Sequence, residues 1–435
     1  MKNNKLIALA LCFFIFMAWY RVLLIPAEEM NEIKDLKTQA ETYAEDGAPE
    51  VAVRLLQKVL KIKDTLENRE EMYSYIRSCV EEGSIEFGKN DIQSFVNDTM
   101  EQYADESFSY EIAMEYFAGE QNYTKCADIM KTAILNNAVS DVVQSLYDSV
   151  KYDYRVNRDK YGDVMNYSDG IYPVLGGRGW SFCDSELIPL FQDEFDCVTI
   201  CNDGYIAAEK DGYVKIYNVN GQVQNAFAIG DMNLLGAVGN DKVLMSRNDK
   251  YFYVSTSGDI VSEEYDMAGI YEDGITAVKV GNEWMVLNKN GETLLSSLER
   301  VVLDEDGKCM KSDCLVAVKS GSFFGYDKKG NELCKFDVED MKAFGDGSYA
   351  AACRSGKWGF VDLSGNWIMD PIYDDARSFC NGFAAVCIES KWGYIDEKGD
   401  LVVECIFDDA KDFTEDKKSL VNQNGIWNSL EMLCK

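Results

Sequence analysis

From about residue 168 to its end, the chain is one short unit written eight times, and few folds accept such a pattern. Gly356 to Cys387 and Ser390 to Phe413 are the clearest copies, with Trp358 and Trp392 standing 34 residues apart. Gly359/Gly393, Asp362/Asp396, Gly365/Gly399 and Asp374-Asp375/Asp408-Asp409 keep the same step. Fainter copies place an aromatic or apolar residue seven before a turn glycine: Val214/Gly221, Tyr251/Gly258, Trp284/Gly291 and Phe323/Gly330. With Trp180 and Trp427 at the ends, the steps are 34, 37, 33, 39, 35, 34 and 35. A second marker, glycine before an apolar strand, recurs at Gly170, Gly204, Gly274 and Gly382. Each unit reads as a short strand, a tight turn with its glycine at positive φ, a return strand, an Asp-Asp-Ala corner and a small-residue strand. Strands this short bury no face alone, so the units must stack laterally. Closure into a β-propeller is favoured, because it leaves only short, protected edges; an open β-solenoid is the alternative.

The units resemble the WG β-repeat family, through Lys357-Trp358-Gly359-Phe360-Val361-Asp362 and Lys391-Trp392-Gly393-Tyr394-Ile395-Asp396. The Trp-Gly pair itself is lost before residue 300. The resemblance implies a β-repeat interaction domain with no catalytic residue and no cofactor. Its marked positions, Trp358, Gly359, Asp362, Gly365, Trp392, Gly393, Asp396 and Gly399, are therefore expected to be structural, with both tryptophan rings mostly buried.

Leu6 to Ile25 form a nearly continuous apolar run, long enough at about 1.5 Å per residue to cross a hydrocarbon core. Lys2 and Lys5 lead it, and Ile25-Pro-Ala27 is a poor cleavage site. The expectation is an uncleaved signal anchor over 1–26, with a cytoplasmic N-terminus and the body outside a bacterial cell.

Between 27 and 165 the apolar period is helical: Ala52, Leu55, Leu56, Val59, Leu60; Met72, Tyr75, Ile76, Cys79, Val80; Cys126, Ile129, Met130, Ala133, Ile134; Val139, Val142, Val143 and Leu146. About seven helices are expected. Gly47-x4-Ala52-x3-Leu56-x2-Val59-Leu60 and Tyr123-x2-Cys126-x3-Met130-x2-Ala133-Ile134 resemble the second helix of a tetratricopeptide hairpin, although the first helices lack its Trp and Leu-Gly. The expected fold is thus α+β multidomain: anchor 1–26, helical domain 27–165 and β-repeat domain 168–435.

Composition narrows the function. Lys and Arg number 43 against 75 Asp and Glu, a net charge of −32, which argues against a nucleic-acid partner. Histidine is absent, which removes Ser/His/Asp triads, Cys/His pairs and His-based zinc sites. Cys197/Cys201 and Cys309/Cys314 are too loosely spaced to read as zinc ligands. The Asp374-Asp375 and Asp408-Asp409 pairs read as solvated corners that cap local N–H groups. The expectation is a non-enzymatic, membrane-anchored interaction protein, the β-repeat head on a helical spacer, binding a protein or a cell-wall glycan. The rivals are a carboxylate-dependent glycan-processing enzyme in a propeller, which needs two acids in one pocket, and a stalk without ligand.

Overall fold

The computed structural model describes residues 27–81, 89–190 and 194–434. It separates into two compact units, and the division falls after Lys151. That is ahead of the 165–168 border expected from the repeat, because Tyr154–Val156 and Asp163–Val164 are already strands.

No helix among the described residues is long and apolar enough to cross a membrane. The expected transmembrane helix over residues 6–25, and the single-pass placement with an exterior body that followed from it, are corrected accordingly: the structure supports neither. That apolar run lies outside the described residues. The first described helix is densely charged, with Glu28, Glu29, Glu32, Lys34 and Asp35 in its first half.

The helical unit has seven helices among the described residues: α1 (Ala27–Glu45), α2 (Pro49–Ile62), α3 (Leu66–Glu81), α4 (Lys89–Gln102), α5 (Ser107–Gly119), α6 (Tyr123–Leu135) and α7 (Asp141–Val150). Pro49 opens α2 at its first turn, where a missing N–H costs nothing. Asn122 and Ser140 cap α6 and α7 by accepting from Lys125 N and Val143 N, both at 3.2 Å. Ala52, Leu56, Val59, Cys126, Met130 and Ala133 are buried, as their stripes require. Val80, Ile134, Val139 and Val142 are exposed, so each stripe is narrower than its spacing predicts.

The second unit is an eight-bladed β-propeller. Blade 7 shows the pattern, with strands in spatial order Asp375–Ala376, Phe383–Ile388, Lys391–Asp396 and Leu401–Phe407. Blade 6 repeats it with Asp340–Met341, Tyr349–Arg354, Lys357–Asp362 and Trp367–Tyr373, and blade 5 with Arg300–Val301, Cys314–Lys319, Ser322–Tyr326 and Glu332–Phe336. Blades 4, 3, 2 and 1 lead with Met267–Ala268, Asn233–Gly239, Cys197–Val198 and Asp163–Val164. The supposed Asp-Asp-Ala corner therefore holds the first strand of blades 7 and 8, two residues long and too short to show a period in sequence. All eight positions of the sequence ruler fall at or one residue into the third strand, from Trp180 to Trp427.

Each sequence repeat thus runs from the third strand of one blade to the second strand of the next. The offset leaves blade 8 (Asp409–Ala410, Lys418–Gln423, Ile426–Met432) without an outer strand of its own. Tyr154–Val156 supplies it, pairing antiparallel to Leu430–Met432. Arg155 pairs with Glu431 at 2.7 Å, and Asp159 accepts from Ser429 N and Oγ at 2.7 and 2.6 Å. Strand exchange between the two ends of the unit closes the ring, which settles closure against the open solenoid.

Candidate functional site

The marked repeat positions hold blades together. Asp362 Oδ1 accepts from Ser364 N and Asn366 N at 2.9 and 2.8 Å, and Asp396 Oδ1 from Lys398 N and Asp400 N at 3.0 and 2.9 Å. This aspartate turn needs its fourth residue at positive φ, which Gly365 (83°) and Gly399 (86°) supply. Gly359 and Gly393 answer to a different demand. A Cβ on either would lie 2.5 or 2.4 Å from the carbonyl oxygen of Met369 or Val403, because the outer strand bulges against it.

Trp358 and Trp392 are partly buried rather than fully enclosed. A cation covers each ring: Lys342 Nζ at 4.9 Å from Trp358, the Arg377 guanidinium at 5.4 Å from Trp392, and Lys411 Nζ at 5.5 Å from Trp427. The sequence reading missed these cations, although Asp-x-Lys/Arg recurs at 340–342, 375–377 and 409–411.

The paired aspartates do separate jobs. Asp375 accepts from its neighbour Ala376 N at 2.8 Å and pairs with Lys342 of the preceding blade at 3.1 Å. Asp409 likewise takes Ala410 N and Arg377, at 2.8 and 3.2 Å. Asp374 pairs with Lys357 at 2.5 Å and accepts Glu389 N at 2.7 Å; Asp408 does the same with Lys391 and Asn424 N, at 2.5 and 2.6 Å. The lysine, then the amide, holds the Asp374 and Asp408 carboxyls below the usual range. They are exposed and cap local N–H groups, as expected of solvated corners, and their cation partners also staple one blade to the next.

The blade-specific chemistry gathers at the axis. Between its first and second strands, blade 5 inserts Asp304-Glu305-Asp306-Gly307-Lys308, a copy of the aspartate turn, with Asp304 accepting Asp306 N and Lys308 N at 3.0 and 2.8 Å. The turn reaches across the channel. Asp306 accepts Asn166 Nδ2 of blade 1 at 3.0 Å, Glu305 pairs with Arg377 of blade 7 and with Lys411 of blade 8 at 3.5 Å, and Gly307 O accepts Ile270 N of blade 4 at 2.9 Å. Partners on far blades place the first strands innermost and make this turn a plug. Gly269 carries no side chain because a Cβ there would lie 2.4 Å from Gly307 O. Burial, then Asp304 beside it, pushes Asp306 up to about 6. The insertion left a trace in sequence: it falls within the 39-residue step, the longest of the series.

Above the plug is a hollow of about 380 Å3, lined by Asn166, Asp169, Asp306, Lys311, Asp346 and Asp412 among others. A cavity of about 110 Å3 adjoins it and shares Asn166, Asp306, Lys311 and Asp412. Asn166 Oδ1, Asp304 Oδ2 and Arg377 Nε border that cavity, buried and without a hydrogen-bond partner. The turns between first and second strands carry further acids, and several cap the next blade: Asp169 accepts Gly204 N at 3.0 Å, Asp203 accepts Asn240 N at 2.7 Å and Asp346 accepts Asn381 N at 3.1 Å. Asp169, Asp203, Asp273, Asp346 and Glu415 each stand five residues past the first strand of their blade, a recurrence visible only once those short strands are placed.

Among the described residues no group of acids and thiols is arranged to hold a metal ion. Burial raises most of the thirteen described thiols, Cys309 to about 12 and Cys405 to about 11. In the helical unit an open groove of about 710 Å3 runs beside Arg54, Lys61, Arg69, Phe95 and Asp98. Arg69 is buried and answered by Asp64 at 2.6 Å, Thr99 at 2.8 Å and Gln102 at 2.7 Å, between the rings of Phe95 and Tyr103.

The family model "WG containing repeat" matches residues 251–284, 358–392 and 392–427, so the chain carries WG repeats. The tetratricopeptide-like reading of the helices is not confirmed by it. None of the curated proteins matches the chain. Among solved structures, BamB from Moraxella catarrhalis is similar at 13% identity and a TM-score of 0.45, over 64% of this chain and 98% of that one. Kluyveromyces lactis Hsv2 is similar at 10% identity and 0.37, over 63% and 98%. The Myceliophteria thermophila Cps50 (Swd1) β-propeller domain is similar at 8% identity and 0.35, over 64% and 98%.

Proposed function

We propose that this chain is a protein-binding scaffold rather than an enzyme, and that the propeller face carrying the turns between first and second strands receives a basic partner. One observation carries the reading. The carboxylates of the paired aspartates are engaged in blade-to-blade pairs, whereas Asp169, Asp346, Asp412 and Glu415, of which Asp169 and Asp346 also cap the next blade, ring one hollow of about 380 Å3 at the channel mouth. Acids that converge on a concave mouth raise the local concentration of cationic groups and steer their approach. The helical unit offers a second docking surface in its groove of about 710 Å3.

Capture experiments with the full chain as bait test this. Bound protein should fall away when Asp346→Asn, Asp412→Asn and Glu415→Gln are combined, and at high salt for the wild type. Capture of a neutral glycan, insensitive to both, would speak for the glycan reading; turnover of a sugar substrate would speak for the enzyme.

A further inference from the structure

Of the three layers that follow blades 5, 6 and 7, one is short of bulk where the other two are filled. Strand register aligns Phe323 with Trp358 and Trp392, each opposite the same position of the second strand, Val318, Cys353 and Cys387. Between blades 6 and 7 the second-strand position four residues before Cys353, the next third-strand position and its outer-strand partner hold Tyr349, Phe360 and Met369, in one apolar cluster. Between blades 7 and 8 they hold Phe383, Tyr394 and Val403. Between blades 5 and 6 they hold Cys314, Gly325 and Cys334.

Bulk is thus lower at these three places, although Val316, directly opposite Gly325, is larger than its counterparts Ala351 and Ala385. The Phe336 ring and the two sulfurs partly refill the space: a Cβ on Gly325 would lie 3.1 Å from Cys314 Sγ, 3.3 Å from the ring and 3.4 Å from Cys334 Sγ. A hollow of about 510 Å3 remains open to the surface, with Cys314 and Cys334 among its lining residues and Leu333, Leu363, Asp313 and Asp327 beside them. Leu333 is 51% exposed and Leu363 36%. Burial raises both thiols, so this part of the wall is uncharged and apolar at neutral pH. Asp327, held below the usual carboxyl range by Asn331, is charged. Asp313 shares Lys328 with Asp273, at 3.0 and 2.8 Å, so carboxylates outnumber cations there.

We propose that this hollow is a docking pocket for one large apolar side chain of a partner protein, the size of phenylalanine or leucine, borne next to a basic residue. The inference rests on the protein-binding reading above and gives that partner's chemistry. The missing aromatic sets the size of the anchor, and the flanking carboxylates set the charge of its neighbour.

The test uses the full chain and a fluorescent acetyl-Lys-Phe-Lys-amide peptide in an anisotropy titration. Saturable one-site binding is expected, with Lys-Ala-Lys and Glu-Phe-Glu peptides about tenfold weaker. Cys334→Met, copied from Met369 of the next blade, should fill the hollow and weaken binding by about tenfold while leaving the melting temperature equal or higher. Leu363→Asp, at an exposed position, should weaken it similarly without unfolding the chain. No saturable binding, or binding unchanged in both variants, overturns the pocket. If the peptide fails while protein capture still depends on the channel-mouth acids, the pocket alone is wrong; if both fail, the protein-binding reading falls with it.

Discussion

Blades 6 and 7 carry the Trp-Gly signature, whereas blades 2 and 5 fill the same places with Val214-Lys215 and Phe323-Phe324, and the two kinds differ in the outer strand. In blade 6, Trp358 pairs with Tyr373 and Phe360 with Met369, so four steps of the outer strand span two of its neighbour. In blade 2, Val214 pairs with Phe227 and Ile216 with Asn225, step for step. Blade 4 is intermediate, with Trp284 opposite Leu298, Val286 opposite Leu295, and Met285 in the glycine's place. The glycine therefore accompanies the two-residue bulge of blades 6 and 7 and is replaced where the outer strand gains one residue, as in blade 4, or none, as in blade 2. That explains how the signature fades along the chain while the blade survives.

The hardest blow to this comparison falls on the blade that is not built from one continuous run. A chain ending the β unit at the expected residue 168 lacks the outer strand of blade 8 and the first strand of blade 1. Residues 152–435 should melt cooperatively and 168–435 should not, as read by circular dichroism. Equal cooperative melts would mean that the terminal strand is dispensable.

Gly359→Val should cost about 3 kcal/mol or more in thermal denaturation, because the added carbons meet bulged backbone rather than a movable side chain. Lys215→Gly, at the matching place in blade 2, where the pairing runs step for step, should cost about 1 kcal/mol, the price of strand flexibility alone. Similar losses would dissolve the distinction between the two kinds of blade.

The plug gives a signed pH effect. An acid whose folded pKa is raised destabilises the fold once both states are ionised. For Asp306 that penalty is absent below the ordinary carboxyl pKa of about 4, grows through the folded value of about 6, and is complete above it. Asp306→Asn should raise stability at pH 7.5, by up to about 3 kcal/mol, and have little effect at pH 4. A gain confined to acid pH would contradict the assignment. The smallest effect belongs to the cations over the rings: Lys342→Met should cost about 0.5–1 kcal/mol, measurable by melting against wild type.

Much of the ring was legible because one bulky residue marks every third strand. What escaped was short or unrepeated. Asp375–Ala376 is two residues long, so alternation has nothing to act on, and the segment reads as a corner although it is the innermost strand. Tyr154–Val156 is three residues long and sits far from the strand it joins, so no local pattern announces it. The plug shows only as a long step, and the shrunken layer at Cys314, Gly325 and Cys334 emerges only when register aligns three strands. The channel-mouth acids Asp169, Asp346 and Glu415 share one place, five residues past the first strand, but Asn381 takes it in blade 7 and the short first strands that set the count are not legible themselves.

The account separates residues that hold the ring from residues that meet a partner, and Trp392→Ala against the combined Asp346→Asn, Asp412→Asn, Glu415→Gln variant tests this most directly. Each is made in the full chain and measured for melting temperature and, well below that temperature, for protein capture. Trp392→Ala should melt lower, by the equivalent of about 3 kcal/mol, and keep its capture. The acid variant should melt within about 1 kcal/mol of wild type and lose capture. A Trp392→Ala chain that melts like wild type and captures nothing, beside an acid variant that captures normally, would contradict the assignment of framework and recognition surface.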